Sequence, residues 1–61
     1  MLNARQIAYF VAVARAGSFS KAALALNISQ PALTKQIKLL EDQLHLRVFE
    51  RTGRGVRLTP A

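Results

Sequence analysis

Large aliphatic residues recur at helical spacing in the middle of the chain. Between residues 29 and 44 they are separated by four, three and four positions, which places them on one face of a helix. These residues are Leu33, Ile37, Leu40 and Leu44. Ser29 suits the N-cap, because its hydroxyl can accept a hydrogen bond from an unpaired backbone N–H, and Pro31 is tolerated in the first turn. The pattern therefore predicts a helix over 29–44 with one buried face.

A different face of this helix carries amide, hydroxyl, methylene and ammonium groups and no large apolar side chain. Its residues are Gln30, Pro31, Thr34, Lys35 and Lys38. The Gln30 amide can pair bidentately with adenine N6 and N7, and the apolar surfaces of Pro31 and Thr34 suit a thymine methyl group. A helix that is buried on one side and presents such groups on the other is typical of major-groove recognition. We interpret 29–44 as a recognition helix.

A first helix is predicted over residues 3–16. Asn3 is its expected N-cap, and Gly17 is expected to end it. Its buried stripe is predicted to be Ile7, Phe10, Val11 and Ala14. Tyr9 and Val13 form an adjacent apolar stripe, which either packs inside the domain or contacts an element that this chain does not contain.

A second helix is predicted to begin after Ser18 as N-cap, or after Ser20 if the boundary slips. Its inward residues are Ala22, Ala23 and Leu26, and the two alanines allow a neighbouring helix to approach closely. Asn27 tolerates the left-handed conformation that ends a helix, and Ile28 follows as an apolar plug before the third helix. A connection of about three residues is typical of a helix-turn-helix.

The pattern changes to alternation after residue 44. Two short β-prone runs flank a glycine-rich turn, which predicts a β-hairpin. The runs are residues 48–51 and 56–59, and the turn is residues 52–55. Phe49 is the expected anchor to the core, and alternation places Val56 and Leu58 on one face with Arg57 on the other.

Arginine is concentrated in this hairpin. Four arginines fall between positions 47 and 57, and Arg54 lies at the tip between two glycines. Next to a recognition helix such a hairpin is a wing, and its arginine can reach a phosphate or the adjacent minor groove. The alternative is that Arg54 is an ordinary solvated surface arginine without a contact to DNA. We also predict an ion pair between Glu41 and Arg51 that ties the wing to the third helix.

Composition adds a strong positive charge to this picture. The 61 residues include nine Lys and Arg against three Asp and Glu, a net charge of +6, and no acid occurs in the first forty. This balance indicates a polyanionic partner. The hydrophobic fraction of 51% is too high for a disordered tail. With no cysteine, one histidine and no catalytic constellation, we expect neither an enzyme nor a metal or cofactor site.

Two features of the first residues imitate targeting signals. Arg5, the apolar run 7–14 and the segment 14–16 resemble a secretory signal peptide, and the scarcity of acids resembles a mitochondrial presequence. Either interpretation leaves the helix over 29–44 unexplained. No segment approaches the roughly 20 apolar residues needed to span a bilayer, so we expect no membrane partner.

Two further functions are alternatives to DNA binding, and the second can coexist with it because palindromic DNA requires a dimer. An RNA-binding basic module would need exposed aromatic platforms, whereas the phenylalanines are predicted to be buried. These are Phe10, Phe19 and Phe49. A protein-interaction module would use Tyr9, Val13 and Leu39 as its contact surface.

Several motifs together resemble one known family. They are Phe10-Val11, Gly17-Ser18-Phe19-Ser20-Lys21-Ala22-Ala23, Leu26-Asn27-Ile28-Ser29-Gln30-Pro31-Ala32-Leu33-Thr34, Gln36-Ile37, Leu40-Glu41, Leu44, Phe49-Glu50-Arg51 and Leu58-Thr59-Pro60. Over nearly its whole length the chain resembles the N-terminal DNA-binding domain of LysR-type transcriptional regulators. The resemblance implies a mainly α fold, a three-helix winged helix-turn-helix with a small two-stranded β-hairpin wing.

The resemblance also implies a biological setting. A cytoplasmic bacterial regulator of this family binds double-stranded DNA with an interrupted palindrome as a homodimer or tetramer, and a linker helix pairs its subunits. We expect the domain to occupy 1–58 and the linker helix to begin at 59–61. The rest of that helix and the inducer-binding domain are expected to be absent from this chain, so dimerisation would occur on DNA.

The resemblance assigns roles by position. Base contacts are implied for Gln30, Pro31 and Thr34, and DNA backbone contacts for Ser18, Ser20, Lys21, Lys35 and Lys38. Wing contacts are implied for Arg51 and Arg54. Two positions depart from the family pattern, because His45 stands where Gly is usual and Val48 where Leu is usual. The third helix must therefore end on a left-handed histidine or end differently, and the smaller valine is expected to loosen the wing.

Overall fold

The computed structural model describes residues 2–60 and consists of three helices followed by a two-stranded antiparallel sheet. The helices are α1 (Ala4–Ala16), α2 (Phe19–Leu26) and α3 (Gln30–Leu44), and the strands are β1 (Phe49–Thr52) and β2 (Gly55–Leu58). This order confirms the predicted mainly α, winged helix-turn-helix architecture. Thr59 and Pro60 lie outside regular secondary structure and Ala61 lies outside the described residues, so the linker helix over 59–61 stays a prediction.

Helix α1 begins with a reciprocal capping box. The Asn3 side chain accepts a hydrogen bond from the Gln6 backbone N–H at 2.8 Å, and the Gln6 side chain accepts one from the Asn3 backbone N–H at 3.1 Å. Two otherwise unpaired donors are thus satisfied. Gly17 ends the helix in the left-handed conformation, with φ 68°. The predicted N-cap and C-terminus are confirmed, whereas the burial of Gln6 was not expected.

The inward face of α1 differs from the predicted stripe. The residues that point into the domain are Gln6, Tyr9, Phe10 and Val13, of which Val13 is fully buried. Ile7 and Val11 are 49% and 38% exposed, and Ala14 is exposed as well, so the prediction was wrong for these three. Apolar residues cover more of the helix than its neighbours can bury, and periodicity alone does not select the covered side. Of the two alternatives for Tyr9 and Val13, packing inside the domain is the observed one.

The helix-turn-helix connection follows the local chemistry of the sequence. Ser18 caps α2 and accepts from the Lys21 backbone N–H at 3.2 Å, and Ala22 and Ala23 are buried. Asn27 ends α2 with a left-handed φ of 59°. Ile28 packs against the core, and its backbone N–H donates to the Ala23 carbonyl oxygen at 3.1 Å. The predicted N-cap at Ser18, helix end at Asn27 and apolar contact of Ile28 are all confirmed.

The core joins all three helices to the first strand. Its buried residues are Val13, Ala22, Ala23, Leu33, Ile37 and Phe49, and Leu40 is buried as well. The Phe49 ring packs against Phe10 in a tilted arrangement and against Phe19 edge to face, with ring centroids 5.3 and 6.1 Å away, so the predicted anchor of the wing is confirmed. Leu44 is 40% exposed, unlike the other members of the predicted stripe, because the buried face of α3 ends at Leu40.

Candidate nucleic-acid interface

The exposed face at the start of α3 brings five predicted site residues together. Ser29 caps the helix by accepting from the Ala32 backbone N–H at 3.2 Å, and Pro31 occupies the first turn. The buried residues of α3 hold its opposite side against the domain. Gln30, Pro31, Thr34, Lys35 and Lys38 are consequently all exposed, and they line one open depression. This surface combines an amide, a hydroxyl with a methyl group, a proline ring and two ammonium groups.

A hydrogen bond connects this face to α2. The Ser20 hydroxyl donates to the Gln30 side-chain oxygen at 2.9 Å. Ser20 lies in the first turn of α2 and Gln30 is the first residue of α3, so the turn brings the starts of both helices together. Sequence reasoning missed this contact, because two residues ten positions apart carry no periodic signal.

The start of α2 carries three more of the predicted residues. Ser20 and Lys21 are exposed, while Ser18 is half-buried. The Ser18 oxygen accepts the capping hydrogen bond, and its hydroxyl proton is left available to a phosphate oxygen. A helix N-terminus also favours anions, because its first N–H groups point outward.

The hairpin closes with a two-residue turn at Gly53 and Arg54. Its register pairs Phe49 with Leu58, Glu50 with Arg57, Arg51 with Val56, and Thr52 with Gly55. Arg54 is exposed at the tip, and its backbone N–H donates to the Thr52 hydroxyl at 3.2 Å. The predicted position of Arg54 is therefore the observed one.

The wing packs closely against the backbone of Gly17, which lies between α1 and α2. The Val56 backbone N–H donates to the Gly17 carbonyl oxygen at 2.9 Å. Gly55 has φ 141°, and a Cβ atom at this position would collide with the same carbonyl group. A side chain at position 55 is therefore excluded by the backbone conformation and by the close approach.

The predicted ion pair between Glu41 and Arg51 is wrong. Glu41 instead accepts hydrogen bonds from the backbone N–H groups of Val48 at 2.9 Å and Phe49 at 3.4 Å. Arg51 lies over the Phe19 ring, 5.9 Å from its centroid. The backbone donors at the start of β1 lie within hydrogen-bond distance of the Glu41 carboxylate, and the Arg51 head group forms no ion pair with it. Glu41 thus does tie the wing to α3, but through the main chain.

The acidic residues are confined to the cleft between α3 and the wing. Glu41, Asp42 and Glu50, which are all of the acids in the chain, line this cleft together with His45. Glu50 also pairs with Arg57 at 2.6 Å on the hairpin. The first half of α3 and the hairpin tip are left without an acidic residue, so their positive charge is not offset locally.

The two departures from the family pattern have different outcomes. His45 ends α3 in the left-handed conformation, with φ 57°, so the first of the two expected possibilities is realised. Val48 is partly buried against the core, and the backbone around it is held by Glu41 and Thr59. The expected loosening of the wing remains a prediction.

Two burial observations bear on the rival functions. All four aromatic residues are at least partly buried, so the described chain offers no exposed stacking platform for RNA. Val13 is fully buried and therefore cannot belong to a protein-interaction surface with Tyr9 and Leu39.

Within residues 2–60 no group of three or more acidic or histidine side chains could hold a metal ion. No helix in that range is long and apolar enough to cross a membrane.

Three helices, a hairpin and a polar-faced third helix define a winged helix-turn-helix domain. The family model for the bacterial regulatory helix-turn-helix proteins of the lysR family matches residues 4–61. The chain therefore belongs to the LysR family.

Relatives and solved structures agree with this assignment. The chain is 55% identical over 60 residues to the HTH-type transcriptional regulator TfdT of Cupriavidus pinatubonensis, and the match covers 98% of the chain and 26% of TfdT. It is similar to the CbnR DNA-binding domain in complex with DNA, with TM-score 0.90, 44% identity, and coverage of 97% of this chain and 68% of that one. The BenM DNA-binding domain with benA site 1 DNA gives TM-score 0.90, 46% identity, and coverage of 97% and 66%. The chain spans 26% of the length of TfdT and 19% of the length of TfdS, a second regulator of the same organism.

Proposed function

We propose that this chain is a sequence-specific double-stranded DNA-binding domain of a bacterial transcriptional regulator and that the first half of α3 enters the major groove. One observation carries the proposal: amide, hydroxyl, methyl and ammonium groups share an exposed, acid-free face at the start of a helix whose other side is buried. The major groove admits one α-helix and displays a distinct pattern of donors and acceptors for each base pair. The DNA complexes of the similar CbnR and BenM domains support the same assignment.

Base readout is assigned to the first turn and a half of α3. The Gln30 carboxamide pairs with a purine edge, and the apolar parts of Pro31 and Thr34 contact a thymine methyl group. All three side chains are exposed and line the same open depression, and this supports a shared role in base readout. Each good bidentate base contact contributes about 1–3 kcal/mol of discrimination.

Backbone contacts surround this face. Lys35 and Lys38 follow the base-reading residues along α3, and Ser18 and Lys21 lie at the start of α2. Arg54 at the hairpin tip, with Arg51 behind it, is assigned to the phosphates or the minor groove beside the site. Each neutralised phosphate makes the slope of log K against log salt steeper (more negative) by about 0.9, so these residues supply the salt-sensitive part of the affinity.

The remaining assignments concern the longer protein. We propose a cytoplasmic regulator without enzymatic activity that binds an interrupted palindrome as a homodimer, with a linker helix from residue 59 and an inducer-binding domain beyond it. A two-fold pair of recognition helices reads two half-sites about one helical turn apart, which explains why a palindrome is needed. The support is membership of the family and the length of relatives such as TfdT.

Duplex selection followed by base-pair scanning tests the proposal. A preferred duplex is selected from random sequence, and every single-position variant is titrated with the unmodified chain and with Gln30→Ala. We expect Gln30→Ala to remove the preference at one or two positions, by about tenfold, because only contacts to that base are lost. A selection that yields no preferred sequence would overturn the proposal.

A further inference from the structure

The hydrogen bond between Ser20 and Gln30 affects which group of the Gln30 side chain the recognition helix presents to a base. Both residues are exposed, and the bond joins the first turns of α2 and α3 at 2.9 Å. A glutamine side chain in the first turn of a helix is otherwise free to rotate, and its carboxamide can present either its oxygen or its nitrogen to a base. The Ser20 hydroxyl restricts this freedom, because it donates a hydrogen bond to the oxygen.

We propose that Ser20 is a positioning residue for base recognition, which holds the Gln30 carboxamide with its amino group leading toward a purine N7. This inference rests on the proposed function and names how that site is made specific. The amino group has two N–H donors, and the oxygen keeps one lone pair for an adenine N6 amino group. The orientation is thus set before DNA binds, and the entropy cost of ordering Gln30 is met in the free protein.

The same geometry conflicts with a phosphate contact for Ser20. A serine hydroxyl has a single proton to donate. In the structure that proton is directed to the Gln30 oxygen, whereas a phosphate oxygen accepts hydrogen bonds only. Ser20 therefore cannot donate to the Gln30 oxygen and to a phosphate at once. The start of α2 keeps Ser18 and Lys21 for that purpose.

The two roles predict different consequences of Ser20→Ala. Loss of a phosphate contact weakens binding to every duplex by about the same factor. Loss of a positioning contact leaves binding to non-specific DNA unchanged and reduces discrimination at the single base pair that Gln30 reads. The expected reduction is about threefold to tenfold, the range of one neutral hydrogen bond. Ser20→Thr retains a hydroxyl and is expected to restore the discrimination.

The test has one arm without DNA. Relaxation of the side-chain amide nitrogen is measured by NMR for Gln30, with Gln43, an exposed glutamine of the same helix, as the internal reference. Gln30 is expected to be more ordered than Gln43 in the unmodified chain and in Ser20→Thr, and as mobile as Gln43 in Ser20→Ala. Equal mobility of the two glutamines in the unmodified chain would overturn the positioning role.

The second arm uses the selected duplex with 7-deazapurine at the position that Gln30→Ala identifies, since this analogue lacks the N7 acceptor. The unmodified chain and Ser20→Thr are expected to lose about tenfold in affinity, Ser20→Ala only about twofold or threefold, and Gln30→Ala nothing. An unmodified chain that is indifferent to 7-deazapurine, or a Ser20→Ala variant that weakens all duplexes equally, would refute the inference alone. An unmodified chain without any preferred duplex would instead overturn the proposed function.

Discussion

Replacing Glu41 is expected to detach the wing from the recognition helix. Its carboxylate accepts from the Val48 backbone N–H at 2.9 Å and, more weakly, from that of Phe49 at 3.4 Å, in a partly buried position. Hydrogen bonds to charged groups are worth about 1.5–3 kcal/mol, and the unpaired donor adds a desolvation cost. We therefore expect Glu41→Ala to lower the free energy of unfolding by about 2 kcal/mol. Glu41→Gln keeps an acceptor oxygen but no charge, and should lower the free energy of unfolding by about 1 kcal/mol.

These losses are large for a domain of this size. At about 0.05–0.15 kcal/mol per residue, the whole chain has about 3–9 kcal/mol of stability. Each kcal/mol shifts the Tm of such a small domain by about 4–8 °C, so Glu41→Ala is expected to lower the Tm by about 8–16 °C. Thermal and urea unfolding followed by circular dichroism measures the change. Amide hydrogen exchange should accelerate first at Val48 and Phe49.

Asp42→Asn is the matched control for this experiment. Asp42 is the neighbouring residue on α3, it is exposed, and the substitution removes the same charge. An acid in the last turn of a helix opposes the helix dipole, so this variant should be neutral or slightly stabilised. If Glu41→Ala cost no more free energy than Asp42→Asn, or left exchange at Val48 unchanged, the anchoring role of Glu41 would be refuted.

Three other predictions concern the wing, the end of α3 and the charge of the interface. Gly55→Ala should lower the free energy of unfolding by about 1–3 kcal/mol, because Gly55 has φ 141° and its added methyl group would meet the Gly17 carbonyl. Gly53→Ala, in open space, should stay within about 0.5 kcal/mol in the same urea titration, and equal losses would contradict the docking geometry. His45→Gly should raise the free energy of unfolding by about 0.5–1 kcal/mol, and the Tm with it, because glycine adopts the left-handed conformation without Cβ strain. A lower Tm would contradict this. Lys35→Gln should reduce the slope of log K against log salt by about 0.9, whereas Arg5→Gln on α1 should leave the slope unchanged, and equal slopes for the two would remove Lys35 from the interface.

Local chemistry made the helices and the turn predictable. Residue type and position predict the N-caps Asn3, Ser18 and Ser29, because their side-chain oxygens can accept from the unpaired N–H groups of a helix start. Gly17 and Asn27 are predictable helix ends because both tolerate positive φ. The shared face at the start of α3 followed from a rotation of about 100° per residue.

Contacts between distant side chains were not predictable in the same way. The inward face of α1 was misassigned because the helix has more apolar residues than the domain covers, and only packing selects Val13 over Val11. Glu41 was expected to meet a charged partner, yet the nearest donors belong to the backbone of β1, which a sequence pattern does not display. The contact between Ser20 and Gln30 depends on the angle between two helices, and only the structure reveals it.

The central claim, that α3 reads base sequence, is tested most directly by fluorescence anisotropy with two duplexes of equal length. One carries the interrupted palindrome obtained by selection, and the other carries the same bases in scrambled order. Both are titrated at low and at physiological salt. A preference for the palindrome that persists at the higher salt is the expected result. Equal binding to both duplexes that collapses as salt rises would show phosphate attraction alone and would contradict base readout by this domain.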